Sequence, residues 1–141
     1  MSLLYANTRR IVNKKHLLDL ELSKKPFDII VLTETYLDDS MFDAEIFPEN
    51  YTVFRRDRSQ NGRQGGGILI ATSDFLNVSP RDDLLCDSEL LFVDFHSYSR
   101  KTLTLGVFYG PPNSTLKPLE DLQSALNNLS TPELVLMETS T

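Results

Sequence analysis

The sequence contains one cysteine, Cys86, and therefore cannot form an internal disulfide bond. Structural disulfides are rare in reducing compartments, so this scarcity is typical of an intracellular protein, and a buried thiol is the expected role of Cys86. No apolar run approaches the roughly 20 residues that a membrane-spanning helix requires. Residues 1–7 lack the charged start and the apolar length of a signal peptide. We expect a protein of the nucleus or cytoplasm that has no membrane partner.

Positive charge is also scarce, because 14 Lys and Arg residues are outnumbered by 20 Asp and Glu residues and the net charge is -6. Non-specific binding to nucleic-acid phosphates depends on Lys and Arg, so this balance argues against a general nucleic-acid-coating protein. The basic residues are nevertheless clustered, with Arg9, Arg10, Lys14 and Lys15 in one group and Arg55, Arg56, Arg58 and Arg63 in another. Each cluster has two interpretations, a contact with phosphate or an ordinary solvated surface.

The length and the apolar content predict a chain with one core. With 141 residues and 40% hydrophobic residues, the chain has enough apolar surface for one domain, and we assign residues 1–141 to it. Patterns of strands and helices alternate along this domain without an internal repeat or a linker. They predict an α/β fold of the α+β type with a mixed sheet.

The first part of the chain has the pattern of a strand, a helix and a second strand. Residues 3–6 form an apolar run too short to identify as a strand by itself. Asn13 predicts the N-cap of a helix that runs to Lys24, and Pro26 ends it. The apolar face of this helix would be formed by Leu17, Leu18, Leu20 and Leu22. The apolar run at 28–34 predicts a buried strand, and a βαβ crossover would place both strand ends at one edge of a sheet.

The rest of the chain has further strand and helix patterns. Strands are predicted at 51–56, 68–71, 90–95, 102–109 and 133–137. The segment 76–87 is expected to be loop and edge strand, because Pro80 cannot donate a hydrogen bond to a central ladder. Leucines at helical spacing between 116 and 129 predict a helix with Thr115 as its cap.

Three consecutive glycines, Gly65, Gly66 and Gly67, precede the strand at 68–71. A glycine-rich loop beside a strand has two interpretations, a cradle for phosphate or a tight connection in which two backbone segments approach closely. A Walker-type phosphate loop requires a Gly-Lys-Ser/Thr ending and a following helix, and this segment lacks both. The sequence therefore favours the close backbone approach.

Polar side chains stand at the ends of three predicted strands: Asn7, Glu34 and Tyr109. Ligands of layered α/β folds bind at such strand ends, so the three side chains are candidates for one pocket. A carboxylate and an amide carbonyl suit Mg²⁺, which keeps several waters and takes further ligands from phosphate. A tyrosine can donate a hydrogen bond to a phosphate oxygen. The alternative role of Glu34 is that of a structural hydrogen-bond acceptor.

Four motifs follow one another along nearly the whole chain: Asn7-Thr8-Arg9 with Asn13-Lys14, Leu32-Thr33-Glu34-Thr35, Arg56-Asp57-Arg58 leading to Gly65-Gly66-Gly67, and Phe108-Tyr109-Gly110-Pro111-Pro112-Asn113-Ser114. Their order and spacing resemble the endonuclease/exonuclease/phosphatase superfamily, and in particular the apurinic-type endonuclease domain of non-LTR (LINE-like) retrotransposons. The resemblance implies a four-layered α/β sandwich of the DNase I-like fold, of which these residues would form a partial, N-terminal portion. It also implies cleavage of DNA with Mg²⁺, or with Mn²⁺ as a substitute.

The resemblance assigns roles to the residues at the strand ends. It implies that Glu34 is the principal metal-binding carboxylate, that Asn7 lines the metal site, and that Tyr109 contacts the scissile phosphate. All three are therefore candidate catalytic residues, and DNA is the implied partner.

Two further residues are substrate-binding candidates on the same grounds. Asn113 lies beside the position where related nucleases have a substrate-site asparagine, and Arg58 is placed to neutralise phosphate. An ion pair with Asp57 is the alternative for Arg58. Gly110 stands where many of the retroelement relatives have arginine, which removes one phosphate contact.

The sequence departs from the family after its last predicted strand. Glu138-Thr139-Ser140-Thr141 stands where relatives have Gly-Asp-Phe-Asn, and no later Ser-Asp-His motif is present. In the family these motifs activate the attacking water and supply acid–base groups. The two histidines, His16 and His96, lie in no matching motif and are expected to be ordinary surface or core residues.

Two functional hypotheses follow from these departures. The chain is a truncated portion of a Mg²⁺-dependent endonuclease with weak or no activity, or it is a non-catalytic remnant that binds nucleic acid or protein. In the second case an uncovered sheet edge or face would allow self-association. A phosphatase acting on a small phosphorylated substrate is a third alternative within the same fold.

Overall fold

The computed structural model describes residues 1–57, 66–98, 101–110, 117–129 and 133–140. The chain forms two compact units, Met1–Phe75 and Leu76–Thr141, each built around a four-stranded mixed sheet. The predicted α/β class with mixed sheets is therefore confirmed, whereas the assignment of residues 1–141 to one domain stays a prediction. No helix in the described ranges is long and apolar enough to cross a membrane.

The first unit contains a strand–helix–strand crossover followed by an antiparallel pair of strands. Its elements are β1 (Leu3–Asn7), α1 (Lys15–Lys24), β2 (Ile29–Thr33), β3 (Tyr51–Arg56) and β4 (Ile68–Ser73). The strand order is β1-β2-β4-β3, in which β1 and β2 are parallel and the other neighbours antiparallel. The predicted crossover is confirmed, and the short apolar run at 3–6 becomes a strand because it gains β2 as a partner.

The first helix begins later than the sequence predicted. A 3₁₀-helix occupies Ile11–Lys14, so Asn13 lies inside a helical turn instead of capping α1, and Lys14 precedes α1 without a side-chain cap. Ile11 explains this geometry, because its side chain is buried and its N–H donates to the Thr35 carbonyl at 3.0 Å. This contact ties the turn to the end of β2.

The apolar face of α1 is narrower than its four leucines suggested. Leu18 is buried and Leu22 is half-buried, since residues four apart share one helix face, whereas Leu17 and Leu20 are each 50% exposed. The buried face belongs to a hydrophobic cluster that includes Ile30, Leu32, Leu69 and Ala71. Every residue of β2 is buried, which confirms the predicted buried strand.

The second unit has a sheet of order β5-β6-β7-β8. Its elements are β5 (Asn77–Pro80), β6 (Leu90–His96), β7 (Thr102–Gly110), α2 (Lys117–Asn127) and β8 (Glu133–Ser140). The strands β7 and β8 are parallel and the other neighbours antiparallel, and β5 lies at the edge, as Pro80 predicted. Leu122 and Ala125 of α2 join Phe92 and Phe108 in the core of this unit.

Candidate functional site

The carboxyl ends of β1 and β2 bring two of the predicted site residues together. Asn7 ends β1 opposite Thr33 and is exposed, whereas Glu34 follows β2 and is only 8% exposed. Thr8 links the two strand ends: its N–H donates to the Thr33 carbonyl at 2.9 Å, and its hydroxyl lies 3.1 Å from the carbonyl oxygens of both Thr33 and Glu34. These bonds hold the backbone of Glu34 beside that of Asn7.

The backbone at these strand ends has an unusual conformation. Among the described non-glycine residues, positive φ occurs at Arg9 (42°), Arg10 (77°), Glu34 (50°) and Tyr36 (57°). The left-handed region costs roughly 1–2 kcal/mol for an L-residue and persists only where surrounding contacts enforce it. Because such strain concentrates at functional sites, the shared location of these residues marks the strand ends as the candidate site.

Hydrogen bonds enforce this conformation from two sides. The N–H of Arg10 donates to the Glu34 carbonyl at 2.9 Å, and the N–H of Tyr36 donates to the Gly66 carbonyl at 2.9 Å. The guanidinium carbon of Arg10 lies 5.5 Å from the centre of the Tyr36 ring, within the range of a cation–π contact. Glu34 is therefore flanked by an arginine and an aromatic ring that contact each other.

Gly67 occupies a position where a side chain does not fit. Its φ is +94°, and a Cβ built on it would lie 2.5 Å from Thr35 Oγ1. Its carbonyl accepts the Thr35 N–H at 3.2 Å, and Gly66 also has a positive φ of 64°. The predicted close backbone approach is confirmed for Gly66 and Gly67, while Gly65 lies outside the described residues.

Arg55 holds the loop that follows Glu34 against β3. Its Nη1 donates to the Met41 carbonyl at 2.8 Å and to Asp43 Oδ1 at 3.0 Å, and its Nη2 donates to the Asp38 carbonyl at 2.9 Å. Asp57 accepts from Nε at 3.1 and 3.2 Å and from Nη2 at 2.6 Å. The planar guanidinium therefore joins β3 to several points of the loop at once.

The electrostatics of Arg55 follow from these contacts. Burial opposes its charge, but hydrogen bonds to Asp57 and Asp43 outweigh that effect and raise the pKa of Arg55. Within the loop, hydrogen bonds from the Ser40 hydroxyl and N–H lower the pKa of Asp38. The sequence did not single out Arg55, because nothing local distinguishes it from the adjacent arginine.

Solved structures resemble this chain over nearly its whole length. An AP endonuclease from Leishmania major superposes with a TM-score of 0.70 at 12% identity, covering 97% of this chain and 54% of that protein. An AP endonuclease from Archaeoglobus fulgidus gives 0.65 at 17% identity, covering 98% and 56%. The 3′ phosphatase NExo from Neisseria, bound to a product DNA hairpin, gives 0.64 at 18% identity, covering 98% and 56%. The chain has the DNase I-like endonuclease/exonuclease/phosphatase fold.

The DNase I-like fold is established by structural similarity. No family model matches the sequence, and a search of curated proteins found no match. At identities of 12–18% the likeness establishes the fold and leaves the activity to be proposed. The chain spans little more than half the length of these relatives.

In the second unit of this DNase I-like chain, Tyr109 lies near the carboxyl end of β7, as the sequence predicted. It is 3% exposed, and its N–H donates to the Glu89 carbonyl at 3.1 Å. Asn7 and Glu34 belong to the first unit, so the convergence of all three in one pocket stays a prediction.

Two other predicted site residues, Arg58 and Asn113, lie outside the described residues. The alternative ion pair between Arg58 and Asp57 therefore lies outside them too. The structure instead pairs Asp57 with Arg55, with 2.6 Å between Oδ2 and Nη2.

The two histidines and the cysteine are divided between the units, with His16 in the first and Cys86 and His96 in the second. His16 and His96 are exposed, so both are surface residues, one of the two ordinary positions that were expected, and Nε2 of His96 lies 2.8 Å from Ser79 Oγ. Cys86 is half-buried instead of buried, and its Sγ lies 3.9 Å from the Ser88 carbonyl oxygen.

Proposed function

We propose that this chain carries the Glu34 side of a divalent-metal-dependent phosphodiesterase site that acts on DNA. Its motifs favour the apurinic-type endonuclease of non-LTR retrotransposons as the specific type. The placement of buried Glu34 beside Asn7 at adjacent strand ends carries the proposal. The fold supports the reaction class, since the similar structures include two AP endonucleases and a 3′ phosphatase.

The residues at the strand ends fit Mg²⁺. Glu34 offers a carboxylate and Asn7 an amide carbonyl, and both are oxygen ligands of the kind that Mg²⁺ prefers. In the described part of the chain, no group of three or more His, Cys, Asp or Glu side chains is placed to hold a metal ion, as a Zn²⁺ site would require. Because Mg²⁺ keeps several waters and binds substrate phosphate, two protein ligands suffice. We propose Mg²⁺ as the cofactor and Mn²⁺ as its substitute.

The residues of the chain have separate roles in this proposal. Glu34 and Asn7 would hold the cation, and the Thr8 hydroxyl keeps their strand ends together. Tyr109 donates its phenol hydrogen to a phosphate oxygen and so stabilises charge that develops there. The metal, when bound, supplies Lewis-acid polarisation of the phosphate.

We expect little hydrolysis by these residues alone. Gly-Asp-Phe-Asn and Ser-Asp-His are absent from the sequence, and a positioned general base typically contributes about 10²–10⁴-fold to a rate. Arg58 and Asn113 remain proposed contacts for the substrate phosphate. We therefore propose a chain that binds metal and DNA and that cleaves DNA weakly or not at all.

Replacing Glu34 by glutamine tests the metal site directly. The variant keeps the size of the side chain and removes its charge, so its affinity for Mg²⁺ and Mn²⁺ is expected to fall by about tenfold or more. Isothermal titration calorimetry measures this affinity. Glu49→Gln removes an exposed carboxylate and is the matched control, which is expected to bind metal like the unaltered chain.

Equal metal affinity of Glu34→Gln and Glu49→Gln would contradict the proposed site. Nicking of supercoiled plasmid with Mg²⁺ is the second measurement. If the unaltered chain nicks the plasmid and Glu34→Ala does not, the chain is an active enzyme and the expected weak activity is wrong. Equal nicking by the unaltered chain and by Glu34→Ala would instead reveal a contaminating nuclease.

A second candidate function, a non-catalytic interaction module, is supported by the edge of the second sheet. Within the described residues β8 pairs with β7 alone, and its Leu134 and Val135 are 41% and 45% exposed. An apolar edge strand is a template for pairing with another chain. Self-association through β8 is therefore the alternative to catalysis.

Val135→Lys is expected to weaken such self-association, because a lysine on an edge strand disfavours pairing with a second strand. Light scattering during size-exclusion chromatography should give a mass that rises with concentration for the unaltered chain and stays monomeric for the variant. Leu119→Lys is the control, since it places the same charge on an exposed apolar position of α2, 53% exposed. A monomeric unaltered chain at every concentration would exclude this candidate.

A further inference from the structure

The side chains of Arg10 and Tyr36 contact each other close to Glu34, although Arg10 comes long before Glu34 in the sequence and Tyr36 two residues after it. The Arg10 guanidinium carbon lies 5.5 Å from the centre of the Tyr36 ring. The N–H of Arg10 donates to the Glu34 carbonyl at 2.9 Å, so the arginine is anchored to the backbone of the proposed metal ligand itself. Both partners have positive φ, which fixes the direction in which each side chain leaves the backbone.

The charge of Arg10 is not neutralised by a carboxylate within the described residues. Several other described cations are paired with a carboxylate, as in Lys15–Asp19, Arg55–Asp57, Arg81–Asp83 and Lys117–Asp121. Arg9, next to Arg10, also makes no ion pair with a described carboxylate. In a chain of net charge -6, Arg10 therefore contributes a positive charge without a described acidic partner at the strand end that carries Glu34.

We propose that Arg10, oriented by the Tyr36 ring, binds a backbone phosphate of a DNA strand whose neighbouring phosphodiester lies at Glu34. A guanidinium can donate two parallel hydrogen bonds to the oxygens of a phosphate. The contact with the Tyr36 ring already restricts the Arg10 side chain, so that less conformational freedom is lost when it binds. The inference rests on the proposed function, because it takes the phosphodiester at Glu34 as the substrate. The inference gives Arg10 and Tyr36 a joint role in positioning the substrate, which none of the sequence motifs indicated.

The salt dependence of DNA binding tests this contact. Each phosphate neutralised by the protein contributes about 0.9 to the slope of log affinity against log salt for duplex DNA. Arg10→Gln is therefore expected to reduce that slope by about 0.9, so that its loss of affinity is about threefold larger at 50 mM than at 200 mM salt. Fluorescence anisotropy of a short labelled DNA duplex, with a chelator present to prevent cleavage, measures both quantities.

Matched variants separate the contact from general charge and from misfolding. Arg10→Lys keeps the charge and is expected to keep the slope. Lys24→Gln removes a cation at the opposite end of α1, which is paired with Glu21, and is expected to leave the slope unchanged. Circular dichroism and the thermal midpoint of each variant show that the fold is intact.

The tyrosine is tested by its own pair of variants. Tyr36→Leu removes the ring face and is expected to weaken binding about two- to fivefold, the usual effect of an exposed cation–π contact. Tyr36→Phe keeps the ring and is expected to bind like the unaltered chain. Equal binding by Tyr36→Leu and Tyr36→Phe would overturn the orienting role of the ring.

The outcomes of these experiments distinguish DNA phosphate from free phosphate as the ligand of Arg10. They also distinguish failure of the Arg10 contact from failure of the proposed metal site at Glu34. An unchanged slope in Arg10→Gln, or no DNA binding by the unaltered chain, would overturn the inference. Displacement of DNA by millimolar inorganic phosphate at constant ionic strength would assign Arg10 to free phosphate and also overturn it. Because binding is measured without metal, failure of the Glu34→Gln metal test would leave this result standing. Conversely, suppose that the unaltered chain binds metal and that Arg10→Gln leaves the slope of log DNA affinity against log salt unchanged. This result would refute the phosphate contact alone.

Discussion

Replacing Arg55 by methionine is expected to lower the free energy of unfolding by about 2–4 kcal/mol, between the costs of breaking a surface and a fully buried ion pair. The change removes the bonds to Asp57 and Asp43 and to the carbonyl oxygens of Met41 and Asp38. It leaves the Asp57 side chain, which is only 13% exposed, without its cation. A half-buried carboxylate that loses its partner costs more than the pair contributes, because its charge is only partly solvated. Chemical denaturation followed by circular dichroism measures the effect.

The same variant is expected to loosen the loop that follows Glu34. Arg55 ties residues 38–43 to β3, so amide hydrogen exchange over these residues should become faster in Arg55→Met while exchange in β2 changes less. This local effect separates the loss of a loop anchor from a uniform loss of stability.

Two companion variants identify the cause of the Arg55 effect. Arg55→Met combined with Asp57→Leu is expected to recover part of the lost stability, because the uncompensated carboxylate is removed as well. Arg55→Lys keeps the charge and loses the planar fork, so its loss should be smaller than that of methionine. A loss below about 1 kcal/mol for Arg55→Met would place the contact among weak surface ion pairs and contradict the anchoring role.

Replacing Gly67 by alanine is expected to lower the free energy of unfolding by about 2–5 kcal/mol, as the sum of two costs. An L-residue at a φ of +94° costs roughly 1–2 kcal/mol. A Cβ at 2.5 Å from Thr35 Oγ1 forces a shift of a buried side chain, and overpacking of this kind costs about 1–3 kcal/mol. Thermal and chemical denaturation measure the total.

A double-mutant cycle with Thr35→Ala separates the two costs. Thr35→Ala removes the hydroxyl that clashes, so the combined variant should be more stable than the sum of the single changes predicts. The strain from φ remains, so the recovery is expected to be partial. Additive effects would show that the Cβ of residue 67 does not meet Thr35 and would contradict the close approach.

Most of the regular structure was predictable because its signals are local. The strand β3 has the predicted bounds, Tyr51–Arg56, and β2 lies within the predicted run at 28–34. Alternating or continuous apolar residues favour strands wherever they occur. The edge position of β5 followed from a proline that cannot donate a hydrogen bond.

The start of α1 was predicted incorrectly because tertiary contacts overrode a local signal. Asn13 has the chemistry of an N-cap, but burial of Ile11 and its bond to the Thr35 carbonyl draw the segment into a 3₁₀ turn first. Likewise, four leucines predicted a broad apolar face, whereas the packing of α1 buries only part of it. Both outcomes depend on a partner that is distant in sequence.

The strand-end site divides in the same way. The order of elements in the sequence predicts that Asn7 and Glu34 lie at one edge of the sheet. A helix between two strands implies a parallel crossover, in which the two strand ends lie side by side. The strained backbone at Arg10 and Tyr36, and the contact between them, come only from the fold. Their conformations are set by hydrogen bonds to Glu34 and Gly66, and such bonds form only after the strands have paired. The position of the Glu34 carboxylate is thus determined by the sequence, whereas the placement of the Arg10 guanidinium and the Tyr36 ring beside it is determined by the tertiary structure.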